Sequence, residues 1–368
     1  MKRRLAIFMH GGISGGISSQ GFPKIVQIVE GLSDNFDVRV YSIRPVEQEF
    51  VPKNYQIYAP PSTLRIKWLR WIYVIATFTT QHLKRKHHIL YSFWAFPVGF
   101  MVVLLGLIFN IPSGVSVLGA ETANLPEINY GHLRKPWIRK LVLWTCQRAD
   151  IFVAVSSYQV DILKRYGLNR EVHIIPFGAD KRLFYPLFNK LALPLKILHV
   201  ANLTEVKDQE TLIKTFQVIL SQIPAKLRIV GPDFFEGKIQ QIVKDLALND
   251  DVEFVAPVLH QRLLTHFHWA DCFMLTSLSE GQNNSITEAM MCGLLPVSTS
   301  VGSMDWSFGE EVGIVANCKD YNTLGNKVIG LYRRSDEWDR KRRTAFAWAS
   351  THDLIWTVEH LKKVLYNG

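Results

Sequence analysis

The chain has few cysteines, and none lies in a metal-binding or disulfide pattern. Among 368 residues the four cysteines are far apart and form no C-x-x-C pair. They are Cys146, Cys272, Cys292 and Cys318. This spacing argues against a structural zinc site and a disulfide scaffold, and it is typical of a protein kept in a reducing cytoplasm. We therefore expect a cytoplasmic location.

Long apolar runs are also missing. The most hydrophobic stretch is FPVGFMVVLLGLIFNIP. Its roughly 14 apolar residues fall short of the roughly 20 that span a bilayer as a helix. We predict a buried helix here. Low-complexity tracts and repeats of fixed period are absent too, which excludes solenoids and linker-like chains.

The glycine-rich loop after the first apolar stretch lacks two familiar nucleotide-binding patterns. Its sequence is HGGISGGISSQGFPK. It is not G-x-x-x-x-G-K-[ST], which argues against a P-loop, and it departs from G-x-G-x-x-G, which argues against a dehydrogenase. Glycines still allow a backbone to approach a ligand closely, although any tight turn between a strand and a helix would look similar.

The composition is that of a folded protein whose two halves differ in net charge. Hydrophobic residues make up 48% and charged residues 20% of the chain, and the length suits two domains. The net charge is +10, but residues 1–190 carry 24 Lys and Arg against 11 Asp and Glu, whereas residues 191–368 carry 18 against 21. A basic first half beside a slightly acidic second half indicates domains with different partners.

Short apolar strands alternate with helices in both halves. This alternation predicts parallel, doubly wound α/β sheets. We expect two Rossmann-like domains, at 1–190 and 191–350, whose sheets face a central cleft. The last segment, 351–368, is predicted to be a helix that packs back toward the first domain. Ligands of such sheets bind at the carboxyl ends of the strands, so the loops there are the candidate sites.

Two glutamates stand out in the second half. Glu280 follows the predicted strand CFMLTS, and Glu288 lies eight residues later in the next predicted helix. The loop between them offers free backbone N–H groups at a helix N-terminus, which suits a diphosphate, and carboxylates accept hydrogen bonds from sugar hydroxyls. By spacing alone, a surface glutamate and a glutamate favoured by the helix dipole explain the pair equally well.

The stretch EGQNNSITEAMMCGLLPVST resembles the E-x7-E signature of glycosyltransferase family 4, a family with the GT-B fold. The resemblance implies that Glu280 contacts the donor sugar and that Glu288 binds the ribose. The loop residues between them would bind sugar and phosphate. These are Gln282, Asn283, Asn284 and Ser285.

Further segments resemble the same family in the same order. They include VAVSSYQVDILKRYGLNREVHIIPFGADKRLFYP and VEFVAPVLHQRLLTHFHWADCFMLTSLSEG. The segment ILHVANLTEVKDQETLI resembles the one that supplies an Arg and a Lys to the diphosphate. Lys207 matches the Lys, whereas Asn202 stands at the Arg position and removes a charge and a bidentate donor. Without this context Lys207 would be a solvated surface lysine.

The resemblance extends to the first half. It places Gly15 and Gly16 near the donor phosphates. SFWAFPVGF and SVLGAET resemble acceptor-side segments, in which Glu121 matches an acidic position and Leu118 replaces a common histidine. Trp94 is a candidate for the acceptor pocket, with a core aromatic as the favoured alternative. His10 is a further candidate whose ordinary role would be structural.

The resemblance therefore implies a retaining glycosyltransferase that uses a UDP- or GDP-sugar as donor and a glycan or glycolipid as acceptor. Its role would be in cell-surface polysaccharide or glycolipid synthesis. We expect no cofactor and no metal, because D-x-D is absent and Lys207 with helix-terminal amides can bear the diphosphate charge. The alternatives are another GT-B activity, such as sugar-nucleotide epimerisation or phosphorolysis, and a binding protein without catalysis.

The excess charge of the first half lies beside aromatic residues. Two segments show this, LRIKWLRWIYVIATFTTQHLKRKHH and LRKPWIRKLVLWTCQR. Basic amphipathic helices of this kind can lie on the anionic inner face of a membrane. The alternative is a helix that packs its aromatic face on the sheet and keeps its cations in water. No base-reading motif is present, so we expect no nucleic-acid partner.

Overall fold

The computed structural model describes residues 2–13, 22–47 and 49–367. The chain divides into two compact units. The first comprises Met1–Pro176 and Leu354–Gly368, and the second comprises Phe177–Asp353. Within the described ranges the strands form one seven-stranded and one six-stranded parallel sheet, one in each unit. The predicted α/β architecture of two parallel sheets is confirmed.

Strands alternate with helices along the first unit, as the sequence pattern requires. The strands are β1 (Arg4–Met9), β2 (Asp37–Ser42), β3 (Gln56–Tyr58), β4 (Ile89–Ser92), β5 (Ser113–Val117), β6 (Ile151–Ala154) and β7 (His173–Ile174). The helices between them are α1 (Pro23–Ser33), α2 (Lys67–Lys84), α3 (Phe100–Phe109), α4 (Pro136–Arg148) and α5 (Ser157–Arg165). Short helical turns lie at Ala95–Gly99, Ala120–Thr122 and Pro126–Ile128.

The first sheet has the order β3-β2-β1-β4-β5-β6-β7. The central strand β1, RLAIFM, is buried along its whole length, because helices cover both faces of a doubly wound sheet. Proline at the start of α1 fits the first helical position, where its missing N–H costs no hydrogen bond. The strand order reverses between β1 and β4, and the loops at the carboxyl ends of those strands therefore flank a crevice.

The second unit repeats this plan. Its strands are β8 (Leu195–Val200), β9 (Ala225–Val230), β10 (Val252–Val255), β11 (Cys272–Leu275), β12 (Leu295–Thr299) and β13 (Ile314–Ala316). Its helices are α6 (Gln209–Leu220), α7 (Lys238–Asp245), α8 (Leu263–Trp269), α9 (Asn284–Met291), α10 (Trp306–Val312), α11 (Tyr321–Tyr332) and α12 (Ser335–Thr351). Short turns lie at Glu205–Lys207, His260–Arg262 and Gly302–Met304, and the last helix, α13 (Leu354–Asn367), belongs to the first unit.

The division between the units differs from the boundary near residue 190 that the sequence predicts. It falls between Pro176 and Phe177, because the segment that follows is bonded to the second unit. The backbone N–H of Leu187 donates to the carbonyl of Cys292 (3.1 Å). A Cβ on Gly178 would lie 2.0 Å from the carbonyl oxygen of His352, so this close approach requires glycine. These contacts could not be predicted from the Pro-rich composition of 173–196.

The apolar stretch between prolines is less buried than the sequence predicts. It forms α3 within the first unit, in which Leu104 is 37% exposed and the buried residues are Met101, Val102, Val103, Leu105 and Gly106. At its end, however, Leu107 is 60% exposed and Ile108 is 72% exposed. The prediction of a buried helix is therefore wrong for the last turn, where apolar residues face away from the sheet. None of the helices in the described part of the chain combines the length and the hydropathy that crossing a bilayer requires.

Candidate donor-binding site

The strand order of the second sheet also reverses once, between β8 and β11 in the order β10-β9-β8-β11-β12-β13. The loops that follow these two strands lie against each other. The backbone N–H of Leu278 donates to the carbonyl of Val206 (2.8 Å), and the Thr276 hydroxyl donates to the carbonyl of Asp208 (2.9 Å). A crevice at a reversal point is where doubly wound sheets bind ligands. These contacts bring the loops of Lys207 and Glu280 to that point.

Lys207 and Glu280 form an ion pair there. The Lys207 Nζ lies 2.5 Å from Glu280 Oε1, and their side chains are 20% and 10% exposed. The same carboxylate oxygen accepts hydrogen bonds from the Ser277 hydroxyl (2.7 Å) and from Asn283 Nδ2 (3.3 Å). Removing one partner of such a pair leaves a poorly solvated charge. The carboxylate is therefore held in one orientation by three donors from two loops.

Asn283 links this carboxylate to the start of α9. Its Oδ1 accepts a hydrogen bond from the backbone N–H of Ile286 (3.1 Å), which makes Asn283 the N-cap of the helix. Its Nδ2 donates to Glu280. The resemblance implies that Asn283 helps to bind sugar and phosphate, but both ends of its side-chain amide are engaged within the protein.

The Gln282 side chain faces the segment that opens the second unit. Its Oε1 accepts from the backbone N–H of Phe177 (2.7 Å), and its Nε2 donates to the carbonyl of the same residue (3.2 Å). Gln282 is buried, so these two hydrogen bonds avoid the free-energy cost of leaving its side-chain amide without partners in the interior. Asn284 and Ser285 are half-buried and form the first two residues of α9. Both ends of the Gln282 side-chain amide are therefore engaged within the protein.

Glu288 is the fifth residue of α9 and is buried. Its Oε1 accepts a hydrogen bond from Nε2 of His260 (2.7 Å). His260 is absent from the set of residues that the sequence suggested. The available signal was its place in the loop after β10, again at a carboxyl strand end, but a single loop histidine carries little weight without a partner.

Asn202 lies in the loop that follows β8. Asn202 is exposed, and its carbonyl accepts from Gln209 Nε2 (3.1 Å). Gln209 Nε2 also lies 3.3 Å from Nε2 of His199, whose Nδ1 lies 2.9 Å from the Met274 carbonyl. Burial lowers the pKa of His199 to about 4, so the imidazole is neutral at pH 7 and donates through Nδ1.

In the first unit the candidates lie after β1, β4 and β5. His10 is half-buried, and burial followed by the charge of Arg44 lowers its pKa. Trp94 is half-buried too, and its ring lies 5.2 Å from that of Phe22. It is thus neither a fully buried core residue nor an exposed one. Gly15 and Gly16 lie outside the described residues.

Glu121 is fully buried between two loops of the first unit. Its Oε1 accepts from the backbone N–H of Ala95 (3.2 Å), and its Oε2 accepts from that of Gly119 (3.2 Å). Burial raises the pKa of Glu121 to about 7, and the backbone hydrogen bonds limit that rise. The carboxyl group thus joins the loop after β4 to the loop after β5.

We expect the stability of the chain to carry a pH dependence from Glu121. Because the pKa is raised from 4.5 to about 7 by folding, the folded state binds the proton more tightly. The stabilisation is complete below the unfolded value and is lost as pH rises through the folded one. Relative to Glu121→Gln, the free energy of unfolding should fall by up to ~3 kcal/mol between pH 4.5 and 7. Urea unfolding across this range measures the difference.

The comparison with Glu121→Gln is needed because buried histidines, among them His87 and His199, titrate in the opposite sense. Burial lowers the pKa of His87 to about 3 and that of His199 to about 4, so their contributions are lost as pH falls. The glutamine sets an NH₂ group against one of the two backbone N–H donors, and we expect it to be less stable than wild type at pH 5. If the difference in unfolding free energy between wild type and Glu121→Gln stayed constant from pH 4.5 to 7, this account would be contradicted.

The structure thus brings Lys207, Glu280 and Asn283 into direct contact, while Gln282 and Glu288 turn to Phe177 and His260. Glu121, Trp94 and His10 belong to the other unit. Among the described residues, no group of three or more His, Cys, Asp or Glu side chains is arranged to hold a metal ion.

Comparison with solved structures defines the class of fold. Sucrose-phosphate synthase from Thermosynechococcus elongatus matches with a TM-score of 0.80 and 18% identity over 99% of both chains. Anabaena HepE in complex with UDP and glucose matches with a TM-score of 0.74 and 17% identity over 100% of both chains. At these identities the likeness concerns the fold. The chain has the GT-B fold, with two Rossmann-like units.

Two family models match the chain in succession. Residues 25–183 match the model described as Glycosyltransferase Family 4, and residues 194–334 match the one described as Glycosyl transferases group 1. Together these matches show that the chain belongs to glycosyltransferase family 4.

One relative of known activity is mannosylfructose-phosphate synthase from Agrobacterium fabrum. It is 27% identical over 269 residues, which are 65% of this chain and 58% of that protein. The chain thus spans little more than half the length of this relative.

Proposed function

We propose that the chain is a retaining glycosyltransferase that moves a sugar from a nucleotide diphosphate donor to a glycan or lipid-linked acceptor. The observation that carries this proposal is the Lys207–Glu280 pair at the reversal point of the second sheet. A cation and an oriented carboxylate stand there beside the N-terminus of α9. Membership of the glycosyltransferase family supports the same conclusion.

Each part of the donor has a group that suits it. The ammonium of Lys207 and the backbone N–H groups at the start of α9 would bind the diphosphate and stabilise the charge of the leaving nucleotide. Glu280 would accept hydrogen bonds from sugar hydroxyls, and Glu288 would accept them from the ribose. Complexes of Anabaena HepE with UDP and UDP-glucose support a UDP-sugar, and a GDP-sugar is the alternative. With Lys207 in this role, the mechanism we propose uses no metal.

Retention is proposed from the family resemblance, and it has a direct test. If the leaving phosphate takes the proton of the acceptor on the same face, no dedicated base is required, and Leu118 in place of a histidine is tolerated. Proton NMR of the first product formed should show the anomeric configuration of the donor. An inverted product would remove retention from the proposal and leave glycosyl transfer intact.

A donor panel tests the activity itself. UDP-, GDP- and ADP-sugars are incubated with the chain, and release of nucleotide is measured with and without simple glycan acceptors. We expect release from one donor class. Conversion of a donor to its epimer without release would favour an epimerase, and binding without any turnover would favour a binding protein. The absence of both binding and turnover would overturn the proposal.

The acceptor side of the proposal includes an anionic membrane surface. On α2, Trp68 is 62% exposed and Ile72, one turn later, is 54% exposed. Exposed cations lie at both ends of this helix, at Arg65, Lys67, Lys84, Arg85 and Lys86. Apolar side chains flanked by cations suit the interface of an anionic bilayer. The first unit would thereby reach lipid-linked acceptors from the cytoplasmic face.

Co-sedimentation with vesicles tests this docking. We expect the chain to bind vesicles that contain anionic lipid and to be released at high salt, because surface charges are screened. Replacing both Trp68 and Ile72 by Ala should weaken binding about tenfold or more, given the apolar area withdrawn from the interface. Phe234→Ala, at an exposed aromatic residue of the second unit, is the matched control. Equal binding to neutral and anionic vesicles would contradict electrostatic docking.

A further inference from the structure

His260 and Glu288 form a hydrogen bond in which each side chain is constrained by its surroundings. Glu288 is buried, and a buried carboxylate is stable only when it is paired or hydrogen-bonded. His260 supplies that bond through Nε2 at 2.7 Å. Since an ionised carboxylate can only accept, the ring nitrogen must carry the proton. The imidazole therefore fixes one of the two oxygens of Glu288.

The ring of His260 is itself held in place. It packs edge-on against Phe184, with ring centroids 5.2 Å apart and planes at 67°. Phe184 is completely buried and packs in the same manner against Phe267 of α8 at 5.6 Å. An imidazole that is fixed by packing and bonded at one nitrogen has little freedom to turn. The orientation of the His260 ring therefore determines the orientation of the Glu288 carboxylate.

We propose that His260 is a positioning residue that aims the Glu288 carboxylate at the ribose diol of the donor nucleotide. The inference rests on the proposed function of the site. His260 lies in the loop after β10, and Glu288 lies in α9, which begins beside Glu280. With Oε1 bonded to His260, the carboxylate has a fixed direction in which to accept from the two ribose hydroxyls. His260 thus makes nucleotide recognition depend on an intact ribose.

Three substitutions separate positioning from simple packing. His260→Phe keeps a ring against Phe184 but removes the donor. His260→Gln places an amide N–H close to the position of the imidazole Nε2 and should restore the bond. His260→Asn is polar but too short to reach Glu288. His268→Phe is the matched control, because His268 lies on α8 and its Nε2 bonds the carbonyl of Tyr185 (2.8 Å).

The measurement is the affinity of each variant for UDP, GDP and ADP and for their 2′-deoxy and 3′-deoxy forms, by titration calorimetry. For the nucleotide that binds best, wild type should prefer the ribose form about 10- to 100-fold, the range for hydrogen bonds to a charged group. His260→Gln and His268→Phe should keep this preference. His260→Phe and His260→Asn should lower it to about threefold or less, mainly by weakening binding of the ribose form. Thermal unfolding confirms which variants are folded.

The other outcomes are distinguishable. If wild type prefers ribose and His260→Phe or His260→Asn keeps that preference, the positioning role is overturned while the proposed function stands. If wild type binds a nucleotide without preferring ribose, the inference is overturned in the same way. If no nucleotide binds to wild type, both the inference and the proposed donor site are overturned.

Discussion

Replacing Glu280 by Gln should lower the rate of sugar transfer about 100-fold or more, with little change in the affinity for the free nucleotide diphosphate. The side chain is placed where the sugar is expected, and its Oε1 takes hydrogen bonds from Lys207, Ser277 and Asn283. The amide keeps the shape but loses the charge that orients these donors. Loss of one preorganised electrostatic group in an active site typically lowers kcat by about 10²- to 10³-fold.

A matched control lies in the same unit. Glu210 pairs with Lys214 on α6 (2.7 Å), and both side chains are about half exposed. Such surface pairs contribute little to stability, so Glu210→Gln should leave the transfer rate within about twofold of wild type. Steady-state kinetics with the donor identified in the panel measures both variants. Near-normal transfer by Glu280→Gln would exclude the role proposed for this carboxylate.

Replacing Lys207 by Met should lower the rate of sugar transfer by a similar factor, but it should also weaken the binding of the nucleotide. The change removes the cation that would neutralise the diphosphate, so we expect weaker nucleotide binding together with a drop in kcat of about 100-fold or more. It also leaves the Glu280 carboxylate without its ionic partner. Kinetics and calorimetry together separate the two contributions, and Lys214→Met is the control.

The double variant tests whether the pair acts as a unit. Groups that act together in catalysis show strongly non-additive losses. Lys207→Met combined with Glu280→Gln should therefore be at most about tenfold worse than the poorer single variant. Fully multiplied losses would mean that the two side chains serve independent steps, in spite of the 2.5 Å contact between them.

Regular patterns made much of the fold predictable. The sequence pattern predicts strands at Asp37–Ser42, Val252–Val255 and Cys272–Leu275, and the structure has strands with these bounds. Each is a short run bounded by polar or turn residues, and the alternation with helices fixes a parallel sheet. The two-residue strand β7 and the three-residue strands β3 and β13 carry too short a pattern to be recognised. The unit boundary depends on contacts between distant residues, such as Gln282 with Phe177.

The residues of the candidate site could be named from the sequence, but their bonding partners within the protein could not. Spacing and resemblance named Glu280, Glu288 and Lys207, because motif positions are a property of the chain. They could not show that Lys207 bonds Glu280, since 73 residues separate them and only the neighbouring positions of β8 and β11 bring them together. Nor could they show that His260 bonds Glu288. A polar loop residue such as Asn283 looks like a ligand-binding group until its cap and its bond to Glu280 are seen.

The claim on which the rest depends is that the nucleotide sugar binds at the reversal point of the second sheet. Hydrogen–deuterium exchange with and without the donor locates this site directly. We predict slower exchange in the loops 202–208 and 276–283 when the donor is present, and no such protection in the Lys207→Met variant. Protection confined to other segments at saturating donor, with these two loops unchanged, would contradict the account.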